Sequence, residues 1–477
     1  MLFTQSHPKV LPYLFLTEMW ERLGFYVVQG LLILYMTQNF GYSDADGYII
    51  LGIFSALVYI SPFIGGVLAD KLLGFKTSVI WGGLFLVVGY ALLAIPFPLY
   101  EKLLFYPALA TIIVGNGLFK PNVSSFLGTQ YDHDDPRRDS GFTIFYVGIN
   151  LGAFLAGISS GYIKDYFGWH VSFSLASVGL IIGLITFGYG LSHVKPHSIS
   201  EKKINHKTKF QLFLCCVLAI IGLNFLLKMQ SLSSILLPIA GILLLFVLIV
   251  LTLMQAPIYR KRMFILIMLV LSSIVYWTLF LQMFFSFNLF IDRLVEKNFL
   301  GLNLNTTVFY ASESIFIILF GPLFAMLWQK LGYLGKNPSS MSKFILGILF
   351  AGLGCLVLSL STSFPNESGL IHPLWVLASY CLITIGELLV SPIGLSAVTQ
   401  LAPKHLSGMM MGVWFVALGF GGIFAGMLAK SASIPESAVT LSAKLNIYQN
   451  AFLDYSYLAF LVVIVLFFLY LGTRKWL

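Results

Sequence analysis

The sequence predicts an all-α polytopic membrane protein with fourteen transmembrane helices. Two observations set that class. Of the 477 residues, 58% are hydrophobic and only 10% are charged, against about 25% charged in soluble domains. Apolar stretches of about 20 residues also recur along the chain, the length that crosses a hydrocarbon core about 30 Å thick. The net charge of +9 does not point to nucleic acid. The basic residues fall between apolar runs, and no basic helix with interleaved aromatics occurs.

Taken in order, six spans are expected at 11–37, 48–69, 77–96, 103–127, 140–162 and 169–191. Six more follow at 263–291, 307–329, 343–362, 371–400, 408–429 and 450–472, and an inserted pair at 210–228 and 232–254 lies between the sets. The domains read as an N-terminal six-helix bundle (1–191), a cytoplasmic linker with the inserted pair (192–262) and a C-terminal six-helix bundle (263–477). The N-terminal "MLFTQSHPK" runs into a full-length span containing charges, not into a short apolar core with a cleavage site, so no signal peptide is expected.

Lys and Arg give the orientation. With the N-terminus inside, nineteen fall on the cytoplasmic side, and only Lys102, Lys164, Arg293, Lys297, Lys430 and Lys444 on the other. Both termini are therefore expected in the cytoplasm. The polar stretch "SHVKPHSISEKKINHKTK" (192–209) is then a cytoplasmic linker.

The halves echo each other. "GGVLADKLLGFK" (65–76) follows the second span, and "GPLFAMLWQKLGYLGK" (321–336) closes the eighth in the matching place. Parallel six-helix halves around a midplane cavity are the architecture of the major facilitator superfamily. Asp70, Lys71 and Gly74 resemble that superfamily's loop motif; the second copy is degenerate.

Charges inside the spans carry the chemistry. They are Glu18, Glu21, Arg22, Lys120, Lys228, Glu313 and Glu387. Lys228 ends an inserted helix and can snorkel to the interface. The others are functional candidates by default, since a charge at the bilayer centre costs about 2.5–3.5 kcal/mol on insertion scales. In "LTEMWERLGFY" (16–26), Glu18 and Arg22 stand four apart, the favourable order for a pair, and share a face with Tyr26. Glu21 leaves one acid in excess. A carboxyl in low dielectric takes up a proton when its cation moves away, which is the physics of a proton switch.

Lys120 sits in "GNGLFKPNVSSF", where Gly115 and Gly117 allow close helix approach and Pro121 loosens the backbone ladder. Neither this segment nor "GFKTS" (74–78) is a phosphate loop, so ATP is not implied. Glu387 lies in "GELLVSPIGL" beside Gly386, with Ser391 one turn on. Lys120 and Glu387 could bind opposite ends of a zwitterion, or pair with each other.

At these residues the chain resembles the proton-dependent oligopeptide transporter family, a branch of the major facilitator superfamily, over nearly its whole length. The first-helix motif is met by Glu18, Glu21, Arg22, Phe25 and Tyr26, and the fourth-helix Gly-x-Gly-x-x-Lys-Pro by Gly115, Gly117, Lys120 and Pro121. "FYVGINLG" supplies Tyr146 and Asn150, "GELLVSPIGL" the tenth-helix motif, and "APKHLSGMMMGVWF" Trp414. An inserted helix pair is also usual in bacterial members. The resemblance implies two six-helix bundles plus the inserted pair, and uptake of di- and tripeptides driven by inward proton flow. It implies coupling by the first-helix acids and Arg22, a peptide carboxylate held by Lys120 and an amino group held by Glu387. Tyr26, Tyr59, Asn150, Ser391 and Trp414 fall at positions that line the family's pocket; ordinary helix packing is the alternative for each.

Three departures matter. Gln29 stands where many members have a second Arg; Leu281 precedes Gln282 in "LFLQMFF" where an acid is common; and "SESIF" places Glu313 and Ser314 at the usual Asn-Pro of the eighth helix. Glu313 either restores the lost acid or meets a different ligand. Gln29, Gln282 and Glu313 are therefore counted with the binding residues, and Glu313 also with the coupling group. The more acidic cavity implies weaker selection for a free carboxylate and tolerance of amine-rich ligands. Equal discrimination between free and carboxylate-blocked dipeptides in this chain and in typical members would overturn that expectation.

No cofactor beyond the proton gradient is expected. Cys215, Cys216, Cys355 and Cys381 have no metal-ligand spacing, and His7, His133, His170, His193, His197, His206, His372 and His405 fall in loops or at span ends. An enzyme is not expected, because neither His nor Cys is placed for a nucleophile–base pair or a metal at depth. Asp132, Asp134 and Asp135 with Arg137 and Arg138 read as solvated loop charges. The expected partners are protons, a small peptide or peptide-like solute and the bilayer, with a monomer in a bacterial inner membrane. Alternatives are a proton-coupled carrier of an amine-rich compound or of an anion such as nitrate, a channel, or a transceptor.

Overall fold

The computed structural model describes residues 7–96, 98–132, 135, 137–194 and 205–473. His133, Asp134, linker residues 195–204 (with Lys195, His197, Lys202 and Lys203) and the terminal Arg474 and Lys475 lie outside them. The helices are α1 (Leu11–Leu34), α2 (Asp44–Leu68), α3 (Phe75–Leu93), α4 (Pro98–Gly128), α5 (Arg138–Phe167), α6 (Trp169–Gly190), α7 (His206–Lys228), α8 (Gln230–Leu253), α9 (Pro257–Phe280), α10 (Ser286–Leu294), α11 (Thr306–Tyr333), α12 (Ser340–Ser361), α13 (Pro373–Leu401), α14 (Ser407–Ala429) and α15 (Leu441–Thr473). Thirteen helical segments among the described residues are long and apolar enough to cross a membrane. α1, 24 residues long and carrying Glu18, Glu21 and Arg22, is the fourteenth.

Local chemistry starts these helices. Asn205, Asn305 and Ser339 cap α7, α11 and α12 through side-chain oxygens that accept from the first turn. Pro257 and Pro373 open α9 and α13, where a missing N–H costs nothing. A two-residue hairpin, Asn298–Phe299 paired with Leu302–Asn303, links α10 to α11.

The seventh expected span is discontinuous. α9 passes through a 3₁₀ turn at Leu281–Phe284, and Phe285 leaves helical geometry with φ −105° and ψ −108° before α10 resumes. Gln282 bridges the break. Its Nε2 donates to the carbonyls of Thr278 (3.3 Å) and Ala425 (3.0 Å), and its Oε1 accepts from Ser286 Oγ at 2.6 Å. Such local bonding is what a broken helix needs at membrane depth.

The described residues pack as two compact units. One holds the residues before Ile33 with Leu57–Met229; the other holds Ile33–Ala56 with everything described from Gln230 onward. In the first, α3 lies between α4 and α6, and α7 rests on α4. Small residues bring the backbones together: a methyl at Gly82 would stand 2.6 Å from the Phe119 nitrogen on α4. In the second, α12 packs between α13 and α15, and α9 against α13 and α14. The first turns of α2 belong here, with Gly52 seated on Gly422 and Gly426 of α14. α7 and α8 present Phe210, Leu218, Ile242 and Phe246 outward, as lipid-facing helices do.

Candidate functional site

In the first unit, α1 and α4 assemble a buried charge group. Arg22 Nε and Nη2 donate to the two carboxylate oxygens of Glu21 at 2.5 and 2.6 Å. Glu18, one turn earlier, lies 3.5 Å from Nε. All three side chains are essentially inaccessible to solvent. The guanidinium also lies 4.8 Å from the Phe25 ring centre, and Nη2 donates to Asn116 Oδ1 at 3.3 Å.

Asn116 has a second task, created by a proline. Pro62 inside α2 has no N–H, so the Val58 carbonyl, four residues earlier, loses its helical donor. Asn116 Nδ2 fills that place at 2.8 Å and Ser61 Oγ adds a contact at 3.2 Å. Asn116 thus ties α4 to α2 with one end and to Arg22 with the other.

Lys120, one turn further along α4, stands 5.3 Å from the Tyr59 ring centre and 6.0 Å from that of Phe25, in electrostatic reach of Glu18, Glu21 and Arg22. Cation–π contact of this kind holds an ammonium without neutralising it. Tyr26 packs edge-on to Phe25 at 5.4 Å, and Gln29 is fully buried. Asn150 on α5 donates to the Tyr146 carbonyl at 3.0 Å. α5 meets α1 nearby, where a methyl at Gly152 would stand 2.9 Å from Arg22 Cβ.

In the second unit, α11 and α13 bring Glu313 and Glu387 within hydrogen-bonding reach of each other. Ser314 Oγ donates to Glu313 Oε2 at 3.3 Å. Tyr276 of α9 lies in electrostatic contact with both acids, its hydroxyl donating to the Ile383 carbonyl at 2.9 Å. Ser391 is partly buried one turn beyond Glu387. Trp414 is buried against Phe344, with ring centres 6.0 Å apart, and against Gly394. Gln282 spends its amide on Thr278 and Ser286 at the helix break and on the Ala425 carbonyl of α14.

The sequence profile of the POT family matches residues 76–445. The chain belongs to the POT family. Among curated proteins, this POT chain is 35% identical to dipeptide and tripeptide permease A of Yersinia pestis over 97% of its own length and 92% of the permease. Its identity to dipeptide and tripeptide permease A of Escherichia coli K12 is 34%, over 94% and 89%. A crystal structure of a POT peptide transporter in complex with alafosfalin superposes with a TM-score of 0.86 at 31% identity, covering 100% of this chain and 97% of that one. The polytopic major facilitator fold expected from the sequence is therefore the fold of this protein, an integral membrane POT member.

Each unit gathers its own share of the expected residues: Glu18, Glu21, Arg22, Lys120 and Tyr59 in one, Glu313 and Glu387 in the other. Asn116 and Tyr276 were not among them. Asn116 could have been noticed as the one amide between the two glycines of "GNG"; Tyr276 carries no comparable signal.

Proposed function

We infer that this POT chain is a proton-coupled symporter that imports di- and tripeptides, or peptide-like solutes, by alternating access. The observation that carries the reading is the buried group of Glu18, Glu21 and Arg22 beside Lys120. Two acids share one close cation inside a membrane span, so movement of Arg22 or Lys120 would change which acid holds a proton. The permease names of the relatives supply the solute class.

In this reading Glu18, Glu21, Arg22 and Glu313 couple protons. Lys120 takes the peptide carboxylate and Glu387 the amino group, while Tyr26, Gln29, Tyr59, Asn150, Gln282, Ser391 and Trp414 shape the pocket. The proton gradient is the only energy source and no cofactor takes part. One chain is the working unit, set in a bacterial inner membrane with both termini cytoplasmic.

The test is uptake of a dipeptide mixture into proteoliposomes under an imposed pH gradient, comparing the parent with Glu21→Gln. Accumulation by the parent, lost in Glu21→Gln while dipeptide exchange survives, supports the reading. A parent that fails to accumulate any dipeptide, or does so equally with a protonophore present, overturns it.

A further inference from the structure

α7 rests on α4, yet it leaves a partly open cavity of about 320 Å³ between itself, α2 and α4. That size lies in the range of small-molecule pockets, about 300–1,000 Å³. Leu57, Ile64 and Leu68 of α2, Ile113 of α4, and Cys216 and Leu223 of α7 are among its walls. Ser61 brings a hydroxyl, already donated to the Val58 carbonyl at 3.2 Å. Among the described residues, no charged or amide side chain lines the space. A water settles only where it finds two or more polar partners, so hydrocarbon is the filling that fits.

The length of the cavity matches one leaflet. Its lining on α7 runs from Leu212 to Leu223, about 16 Å at 1.5 Å per residue, close to half of a hydrocarbon core about 30 Å thick. The Leu212 end also meets Leu73, in the π turn Ala69–Leu73 that ends α2, and Leu73 is buried with Cys216 and Leu118. Basic residues gather at this end. Lys209 stands one turn before Leu212 on the same face of α7, Lys207 precedes it, and both are exposed. Lys71 and Lys76 flank Leu73, with Asp70 as the accompanying acid. Lysines at a membrane surface attract anionic headgroups.

We propose that this cavity binds an anionic phospholipid. One acyl chain fills the space between α7 and the α2–α4 pair, and the headgroup phosphate lies against Lys207 and Lys209. The lipid thereby seats α7 on the bundle, whatever solute the protein carries.

In the test, the purified full chain in detergent receives equal amounts of palmitoyl-oleoyl phosphatidylglycerol and phosphatidylcholine, whose chains are identical. Bound lipid is read by native mass spectrometry. The parent is expected to retain one phosphatidylglycerol. Ala219→Trp puts a ring at the cavity wall and is expected to lose that lipid, whereas Leu218→Trp, on the outward face, keeps it. Ala219→Leu serves where the tryptophan variant fails to fold. With Lys207→Gln and Lys209→Gln combined, the preference for phosphatidylglycerol is expected to fall about fivefold per lysine, with chain binding kept. A parent that retains no phospholipid, or equal behaviour of Ala219→Trp and Leu218→Trp, overturns the site. An unchanged preference in the lysine variant overturns the anionic class. Peptide uptake enters none of these readouts, so the transport reading stands or falls separately.

Discussion

Arg22 turns both arms of its guanidinium on Glu21, its neighbour in sequence, while Glu18 meets it only through Nε at 3.5 Å. The other Glu18 oxygen is buried without a hydrogen-bond partner among the described residues. The two acids are therefore unequal. Glu21→Gln strips a buried cation of its bidentate partner and leaves it Glu18 at 3.5 Å, a loss of about 1.5–3 kcal/mol for hydrogen bonds to a charged group. Glu18→Gln removes a carboxylate that is only half satisfied. We expect Glu21→Gln to lower the thermal unfolding midpoint in detergent markedly and Glu18→Gln to leave it within a few degrees of the parent. The opposite order would show that Glu18 is the structural partner.

Asn116 answers a vacancy made by Pro62, so the two positions should be coupled. Asn116→Leu leaves the Val58 carbonyl with only the longer Ser61 contact and removes an acceptor from Arg22. Stranding such a group costs about 1–3 kcal/mol. Pro62→Ala restores the helical N–H that Val58 lacks. The double variant is expected to recover part of the loss, giving a non-additive cycle in unfolding midpoints. Strict additivity would mean that Asn116 acts through Arg22 alone.

At the start of α2, Asp44 serves three donors: both terminal nitrogens of Arg293, each at 2.7 Å, and the Ile434 backbone N–H at 3.0 Å. Arg293 remains partly exposed, with 27% of its side chain accessible, while Asp44 retains 6%. Arg293→Ala releases an acid that keeps its backbone donor. Asp44→Ala leaves a half-buried N–H and a guanidinium together. Asp44→Ala is expected to be the more destabilising, by about 1–2 kcal/mol. The charge-reversed pair should regain only the ionic part, because an arginine at 44 cannot accept from Ile434. Equal losses in the two single variants, read from thermal unfolding, would contradict this arrangement.

The spans and the charges within them were legible because a bilayer imposes length and penalises every buried ion. The choice made by Arg22 was not. Neighbours at i and i+1 leave a helix in different directions, so spacing points to Glu18, yet the arginine stem is long enough to fold back on Glu21. The break at Phe285 was hidden in an apolar run with neither Gly nor Pro to mark it. The meeting of Glu313 with Glu387 depends on α11 packing against α13, which no local periodicity encodes. The worth of Asn116 lies in a proline on another helix, and that relation exists only in three dimensions.

The same proline logic governs the other contact between α2 and α4. Pro121 has no N–H, so the Gly117 carbonyl is freed from its helix, and it stands directly against Gly65. A methyl at Gly65 would overlap that carbonyl, whereas one at Gly66 would rest 3.7 Å from Pro121 Cβ, an ordinary contact. Close approach therefore requires glycine at one position and only tolerates it at the next. Gly65→Ala must separate two backbones and is expected to abolish stable expression or to lower the unfolding midpoint by several degrees, a cost of about 2 kcal/mol or more. Gly66→Ala replaces a poor helix former and should be neutral or mildly stabilising, by up to about 1 kcal/mol. Expression level and unfolding midpoint of the two variants, measured side by side, decide the matter. Comparable behaviour would mean that the α2–α4 interface yields at Gly65, and that the carbonyl released by Pro121 is not what fixes the spacing of these helices.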